Sequence, residues 1–229
     1  MKHYTHLLFD LDGTLFDFEA AEKYAFQRTC QIMQLPYSQT LLDRYAAINE
    51  SYWKRFERGE VTQAELAVGR FSDLYSSLQL SGDAVETNYC YRRCLSESAQ
   101  MFPDTLPVCE ALSSRYQLCL VTNGIAAVQQ KRLETSPLRH YISEVFVSEA
   151  VGSQKPHPDF FHYVFDHLNI TPDQALVIGD SLTSDIRGAV NSEIDSCWFN
   201  PRHQVNSLTD VVPTYEIDSL RSLLSFLMD

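Results

Sequence analysis

Two aspartates, Asp10 and Asp12, lie two residues apart directly after the apolar run Leu7–Phe9. Like charges this close repel each other, so a fold that keeps both carboxylates ionised normally places a cation beside them. The apolar run predicts a buried parallel strand, and ligands of open α/β sheets bind beyond the carboxyl ends of such strands. The alternative is a strand followed by an acidic turn, because Asp-Gly is a common turn pair and Gly13 follows Asp12.

Three further polar groups follow segments that we predict to be strands. They are Thr122 with Asn123, then Lys155, and then Asp180 with Asp185. Each has a structural explanation by itself: a turn with a helix N-cap, a solvated surface lysine and a tight turn. Because the carboxyl ends of parallel strands meet at one edge of a sheet, these groups and the aspartate pair together predict a single site.

The residue types at this site are those that phosphoryl transfer requires, a reaction that depends on positioning and charge neutralisation. A carboxylate can act as the nucleophile and form an aspartyl-phosphate. A second acid two residues further on can protonate the leaving oxygen and later activate water. Mg²⁺ prefers oxygen ligands that include one or two carboxylates, and a hydroxyl, a backbone N–H and a lysine can hold the phosphoryl oxygens.

The elements that must position these residues are of two kinds. Helical spacing dominates the region after the first strand, where we predict helices over residues 19–34, 38–58, 62–79 and 83–100. The sequence Thr62-Gln63-Ala64-Glu65 predicts a capping box at the start of the third helix. From residue 104 onward, strand and helix patterns alternate. This alternation predicts an α/β fold with a parallel sheet and right-handed crossovers, with a helical module inserted after the first strand.

The composition is typical of a globular protein and excludes several classes of partner. The chain has 229 residues, 45% hydrophobic and 21% charged, which is enough for one large domain or two modest ones. A net charge of -12 argues against binding to a nucleic acid polymer. Six cysteines form no C-x-x-C pair, and neither a signal-peptide pattern nor a membrane-spanning segment is found. We therefore expect a cytoplasmic protein with no membrane partner, as a monomer or weak dimer.

The polar groups together resemble the four motifs of the haloacid-dehalogenase (HAD) superfamily of phosphohydrolases. The matching segments are Asp10-x-Asp12-x-Thr14, Thr122-Asn123, Lys155-Pro156 and Gly179-Asp180-Ser181-x-x-x-Asp185. The resemblance implies a Rossmann-like catalytic core formed by residues 1–16 and 101–229. It also implies a helical cap of the C1 type, residues 17–100, inserted after the first motif.

The resemblance further implies a role for each motif residue. Asp10 is the expected nucleophile and a Mg²⁺ ligand, and Asp180 is another expected ligand of the ion. Asp12 is the expected general acid/base, and its backbone carbonyl is expected to bind Mg²⁺. Thr14 is expected to steady the loop of the first motif, and Asp185 to support the metal site. The residues expected to bind phosphate are Thr122, Asn123 through its backbone, and Lys155.

The acid at position 12 narrows the reaction within the superfamily. Dehalogenases and phosphonate-cleaving members lack an acid at the position of Asp12. P-type ATPases carry Thr there and need membrane helices, and mutases usually carry a Thr/His cap signature that we do not find here. The resemblance therefore favours a phosphatase.

A closer resemblance concerns the bacterial 5′-nucleotidases that act on pyrimidine nucleoside monophosphates. It rests on the segments 122–124, 146–149, 154–156, 178–186 and 195–201. The chain departs from that subgroup at Gly13, where the subgroup commonly has a second Asp and the superfamily generally has Gly. The expected substrate is thus a nucleoside monophosphate. The alternatives are a phosphatase for sugar phosphates or other small phosphorylated metabolites, and a phosphate-responsive binding protein without turnover.

Aromatic residues are modestly enriched in the predicted cap, where the substrate would be selected. Most aromatic side chains in such a helical module form its own core. An aromatic residue that instead stacks on a nucleobase contributes about 1–3 kcal/mol. The candidates for this role are Phe18, Tyr24, Tyr45, Tyr52 and Trp53.

Overall fold

The computed structural model describes residues 3–228. Within them, six strands form one parallel sheet. In chain order the strands are β1 (His6–Phe9), β2 (Gln117–Thr122), β3 (Glu144–Val147), β4 (Ala175–Gly179), β5 (Asp195–Phe199) and β6 (Tyr215–Ile217). Their order across the sheet is β3-β2-β1-β4-β5-β6, so β1 lies between β2 and β4. The predicted α/β fold with a parallel sheet is confirmed.

The central strand β1 is apolar because a parallel sheet is covered on both faces. Residues Leu7–Phe9 are fully buried. Phe9 is paired with Leu120 on one side and with Ile178 on the other. The backbone N–H of Asp10 continues this ladder by donating to the Ile178 carbonyl at 2.8 Å. The side chain of Asp10 therefore starts directly at the carboxyl edge of the sheet.

The chain divides into two compact units. The sheet unit comprises the described residues up to Asp17 and from Gln100 onward, and the helical unit comprises Phe18–Ala99. The helical unit contains the four predicted helices, α1 (Phe18–Ile32), α2 (Gln39–Glu57), α3 (Gln63–Leu78) and α4 (Ala84–Ser96). The capping box at the start of α3 is also confirmed, since Thr62 and Glu65 each bond the backbone N–H of the other.

The helical unit encloses an aromatic core of its own. The ring of Tyr45 stacks on Phe26 with centroids 4.5 Å apart and on Phe71 with centroids 5.2 Å apart. Tyr91 packs at a tilt against Tyr45, with a centroid distance of 5.4 Å. Because Tyr45 is fully buried among these rings, its role is to stabilise this unit.

Helices also surround the sheet. In chain order they are α5 (Thr105–Ser113), α6 (Ala126–Glu134), α7 (Ser148–Val151), α8 (Pro158–Leu168), α9 (Arg187–Asn191) and α10 (Ser222–Leu227). One face of α8 shows how the sheet is covered, because Phe160, Phe161 and Val164 are fully buried in a cluster with strand residues such as Val121. No helix within residues 3–228 combines the length and the apolar character needed to cross a membrane.

The chain does not enter an α-helix directly after β4. Leu182–Ile186 form a π-helical turn, in which the backbone N–H groups of Asp185 and Ile186 both donate to the Ser181 carbonyl. The turn brings the Asp185 side chain back against the end of β4, where a Cβ on Gly179 would lie 2.3 Å from its carboxylate. The π-helical turn therefore positions a predicted site residue.

Candidate active site

Lys155 joins several groups at the carboxyl edge of the sheet. Its Nζ donates to Asp10 Oδ1 at 2.7 Å, to Asp185 Oδ1 at 2.7 Å and to the Val121 carbonyl at 2.6 Å. These bonds use all three hydrogens of the ammonium group. Burial favours a lower pKa of Lys155, but the charges of Asp10 and Asp185 outweigh it and raise the pKa. With 1% of its surface exposed, Lys155 is not the solvated lysine of the alternative interpretation.

The side chain of Asn123 holds the loop that carries this lysine. Its Nδ2 donates to the Lys155 carbonyl at 2.8 Å, and its Oδ1 accepts from the Lys155 backbone N–H at 2.9 Å. This reciprocal pair fixes the loop between α7 and α8 to the end of β2. The motif resemblance assigned Asn123 only a backbone role, so its side-chain function is an addition from the structure.

Three carboxylates surround the single ammonium group. Oxygen atoms of Asp10, Asp180 and Asp185 lie within 4.8 Å of one another. Burial raises the pKa of Asp10 well above its usual range; Lys155 opposes this shift, and the other two carboxylates add to it. Burial and then the charge of Asp185 raise the pKa of Asp180 to about 7. A divalent cation would offset the excess negative charge, and these oxygen donors fit Mg²⁺.

Asp180 and Asp185 differ in how the protein holds them. One oxygen of Asp185 accepts from the buried ammonium group, and the other accepts from the Ser181 backbone N–H at 3.1 Å. Asp180 Oδ1 accepts a longer bond, 3.3 Å, from the Thr14 hydroxyl, and Trp198 Nε1 donates to the Asp180 backbone carbonyl at 2.9 Å. Asp185 is thus engaged through both oxygens, whereas Asp180 is better placed to give an oxygen to a metal.

Gly13 allows the loop after β1 to pass close to Asp180. Its φ is +91°, a conformation that residues with a Cβ rarely adopt, and a Cβ there would lie 2.5 Å from Asp180 Oδ2. A second aspartate at this position would require Asp180 to move. Gly13 therefore leaves the space that the Asp180 carboxylate occupies in this structure.

Asp12 is held by two residues of α6 that the motif analysis missed. Gln129 Nε2 donates to Asp12 Oδ2 at 2.6 Å, and Arg132 Nη1 donates to Asp12 Oδ1 at 2.5 Å. The sequence does contain a signal for these two residues. Gln129 and Arg132 lie one turn apart on the helix face that also carries the apolar residues Val128 and Leu133. Both polar side chains are buried with these apolar neighbours.

Thr122 is connected to one of these two residues, Gln129. Its Oγ1 accepts from Gln129 Nε2 at 3.2 Å and from the Gly124 backbone N–H at 3.0 Å. Hydrogen bonds therefore link the first-motif acid Asp12 to the second-motif hydroxyl through one glutamine. The structure brings all eight predicted core residues to the carboxyl edge of the sheet: Asp10, Asp12, Thr14, Thr122, Asn123, Lys155, Asp180 and Asp185.

The remaining candidates for substrate stacking lie in the helical unit. Phe18, Tyr24 and Trp53 are partly exposed there. Tyr52 is 9% exposed, and its hydroxyl donates to Asp73 at 3.0 Å. Tyr52 and Trp53 also belong to an apolar cluster of α2 and α3, so both contribute to the packing of this unit.

Sequence comparison identifies the family. Residues 7–199 match the family described as haloacid dehalogenase-like hydrolase. The matched region begins in β1 and ends in β5, so it contains every core residue assigned above.

Full-length relatives agree with this match. HAD-hydrolase YfnB of Bacillus subtilis is 37% identical over 228 residues, which cover 99% of this chain and 97% of YfnB. Pyrimidine 5′-nucleotidase PynA of Streptococcus pneumoniae is 37% identical, with 98% of this chain and 95% of PynA covered. Pyrimidine 5′-nucleotidase YjjG of Escherichia coli is 30% identical, with 95% of each chain covered.

The fold agrees as well. A crystal structure of YfnB bound to magnesium is similar over 99% of both chains, with a TM-score of 0.94 and 36% identity. The motif resemblance, the Rossmann-like sheet and the inserted helical unit are thereby confirmed. The protein belongs to the haloacid dehalogenase-like hydrolase family.

Proposed function

We propose that this hydrolase is a Mg²⁺-dependent phosphomonoesterase that removes phosphate from pyrimidine nucleoside 5′-monophosphates. The observation that carries the proposal is the arrangement at the end of β1. There Asp10 contacts a buried lysine and lies beside Asp180, and a second acid, Asp12, follows two residues later. The substrate class is supported by two relatives named as pyrimidine 5′-nucleotidases.

Asp10 is the nucleophile of the first step. A carboxylate oxygen of Asp10 attacks phosphorus and forms an O–P bond, while the bond between phosphorus and the ester oxygen breaks. Protonated Asp12 donates its proton to that oxygen, which leaves as the 5′-hydroxyl of the nucleoside. The product of this step is an aspartyl-phosphate on Asp10 and an ionised Asp12.

Water completes the reaction in the second step. The Asp12 carboxylate takes a proton from water, the water oxygen attacks phosphorus, and the bond from phosphorus to Asp10 breaks. Inorganic phosphate leaves, and both acids return to their starting states. The Thr122 hydroxyl, the Asn123 backbone N–H and Lys155 hold the phosphoryl oxygens. Since Lys155 already makes three hydrogen bonds, a direct bond to phosphate requires one of them to be exchanged.

The residues that would hold Mg²⁺ are Asp10, the backbone carbonyl of Asp12, and Asp180. Asp185 and Thr14 support them, through Lys155 and the Asp180 carboxylate respectively. When bound, the ion neutralises charge on the phosphoryl group and orients it for attack. Chelation with EDTA should stop turnover, and added Mg²⁺ should restore it.

The two units have different tasks in this proposal. The sheet unit is the catalytic core, and the helical unit is a cap that selects the substrate. The cap residues proposed to contact the nucleoside are Phe18, Tyr24, Tyr52 and Trp53. Partial exposure of three of them supports this assignment, whereas Tyr52 is the weakest candidate because its hydroxyl and ring are already engaged.

A turnover screen tests the proposal. The wild type is assayed with nucleoside monophosphates, sugar phosphates and 4-nitrophenyl phosphate, each with and without Mg²⁺. The proposal expects the highest kcat/KM for pyrimidine nucleotides. A preference for sugar phosphates would replace the substrate class but keep the chemistry. No release of phosphate from any ester would leave a phosphate-binding protein as the function.

We also propose that the protein acts in the cytoplasm on small metabolites, as a monomer or weak dimer. All six cysteines are buried free thiols, which a reducing compartment would maintain. Sedimentation velocity measures the oligomeric state directly. A stable tetramer would contradict this part of the proposal.

A further inference from the structure

We propose that Arg132 and Gln129 are positioning residues for Asp12, with Arg132 as a fixed anchor and Gln129 as an exchangeable partner. This inference rests on the proposed function, in which Asp12 is the general acid/base. It assigns the proton transfer to one oxygen of the carboxylate, Oδ2.

Both oxygens of the Asp12 carboxylate are held from the same helix. Oδ1 accepts from the guanidinium of Arg132, and Oδ2 accepts from the side-chain amide of Gln129. The two donors are three residues apart, so they lie one above the other on one face of α6. Together they fix the orientation of the carboxylate plane, which a single bond would leave free to rotate.

Arg132 has little freedom to move. It is fully buried, its guanidinium carbon lies 4.6 Å from the centre of the Phe16 ring, and its Nη1 also donates to Gln129 Oε1 at 3.1 Å. Phe16 is itself fully buried. The cost of burying a guanidinium is offset by its carboxylate partner, and removal of either charge leaves the other uncompensated.

Gln129 is a weaker and more adaptable partner. A bond from a neutral amide to a carboxylate lacks the second charge that strengthens the bond from Arg132. Its Nε2 carries two hydrogens and already donates to Thr122 Oγ1 as well, at 3.2 Å. The absence of a side chain at Gly124 makes room for this amide, since a Cβ there would lie 2.1 Å from Nε2. Gln129 can therefore release Asp12 without losing all of its hydrogen bonds.

The chemistry of proton transfer requires such an asymmetry. The Asp12 side chain is 23% exposed, so the carboxylate can reach a leaving group while its other side stays bound. An oxygen that donates a proton to the ester oxygen must first give up a protein donor. Oδ2 loses a neutral partner in doing so, whereas Oδ1 would lose a buried charged one. Oδ2 is thus the oxygen that exchanges Gln129 for the leaving group.

Leaving-group dependence tests this role, because only a poor leaving group needs a proton. The kcat/KM for an alkyl ester, uridine 5′-monophosphate, is compared with that for 4-nitrophenyl phosphate, whose anion leaves without protonation. Arg132→Met should lower the alkyl value about 100-fold and the aryl value less than about 5-fold, with KM little changed. Gln129→Met should lower the alkyl value about 10-fold. Arg132→Lys keeps the charge and should recover much of the loss.

The neighbouring residues on α6 provide matched controls. Gln130 and Lys131 are exposed on the same helix, so Gln130→Met and Lys131→Met should leave both values unchanged. Melting temperatures identify variants that fail to fold, and the milder Arg132→Lys and Gln129→Met then decide the outcome.

Three results would overturn the inference, and they are distinguishable. Equal losses for the alkyl and aryl esters would show that Arg132 and Gln129 serve only the fold. Unchanged kcat/KM in folded Arg132→Met and Gln129→Met would show that Asp12 needs neither partner. A wild type that hydrolyses no phosphate ester would reject the proposed function and this inference with it.

Discussion

Magnesium affinity should weaken steeply as the pH falls below about 7, because protons compete with the cation for the same carboxylates. Burial and the Asp185 charge raise the pKa of Asp180 to about 7, and burial raises that of Asp10 well above its usual range. Both shifts are upward, and with a pKa of about 7 Asp180 is about half protonated at neutral pH in the metal-free protein. Mg²⁺ affinity is therefore highest at high pH and decreases as the pH falls.

The magnitude follows from the Asp180 pKa. For one proton with a pKa of about 7, competition multiplies the dissociation constant by about 11 at pH 6 and by about 1.1 at pH 8. Asp180 alone thus predicts a Kd about tenfold higher at pH 6 than at pH 8. The upward shift of the Asp10 pKa acts in the same direction.

Isothermal titration calorimetry with Mg²⁺ alone measures this effect at pH 6, 7 and 8. Titrations in two buffers of different ionisation enthalpy also give the number of protons released. Asp180→Asn is the control, which should bind weakly at each pH with a shallower pH dependence. Equal Kd values for the wild type at pH 6 and pH 8, with no proton release, would refute the assignment of this metal site.

Three further predictions concern single residues. Asp10→Asn should abolish turnover without lowering the melting temperature, because the amide cannot form an acyl phosphate; a tenth of wild-type activity would exclude covalent catalysis. Burial raises the pKa of Glu22 from 4.5 to about 7. The free energy of unfolding of the helical unit should therefore fall as the pH rises from 4.5 to 7. The loss should reach about 3 kcal/mol and vanish in Glu22→Gln. Urea unfolding, followed by Trp53 fluorescence with the other tryptophan replaced by Phe, measures this free energy. A free energy of unfolding that rises with pH would contradict the prediction. Tyr24→Ala should lower the ratio of kcat/KM for nucleotides to kcat/KM for 4-nitrophenyl phosphate, by an amount equivalent to up to about 3 kcal/mol. Tyr52→Phe should lower only the melting temperature. An unchanged substrate ratio in Tyr24→Ala would remove it from the cap contacts.

Most of the fold and the core of the site could be predicted from the sequence because both depend on strand ends. An apolar run that ends in polar residues identifies the strand and its functional edge at the same time. On this basis the sequence predicts that Asp10, Thr122 and Asp180 lie close together. Parallel topology then requires them to converge, since the carboxyl ends of β1, β2 and β4 lie side by side.

Side-chain partners could not be predicted in the same way, because they depend on which helix face meets the sheet. Lys155 shows this clearly. Its type and position suggested a phosphate contact, but the structure saturates its ammonium group with Asp10, Asp185 and a backbone carbonyl. In the helical unit, the sequence could not separate Tyr45, a core residue, from the partly exposed Tyr24.

In the proposed mechanism, the position of α6 couples the phosphate contact proposed for Thr122 to the proton transfer proposed for Asp12. Thr122 ends β2, and α6 begins at Ala126, so one short turn determines both the direction of the hydroxyl and the start of the helix. Because β2 is the neighbour of β1, the helix that follows β2 comes near the loop that follows β1. Gln129 and Arg132 then reach Asp12 from the first two turns of α6. Asp12 is therefore positioned by the helix that follows Thr122, although more than a hundred residues separate Asp12 from Thr122 in sequence.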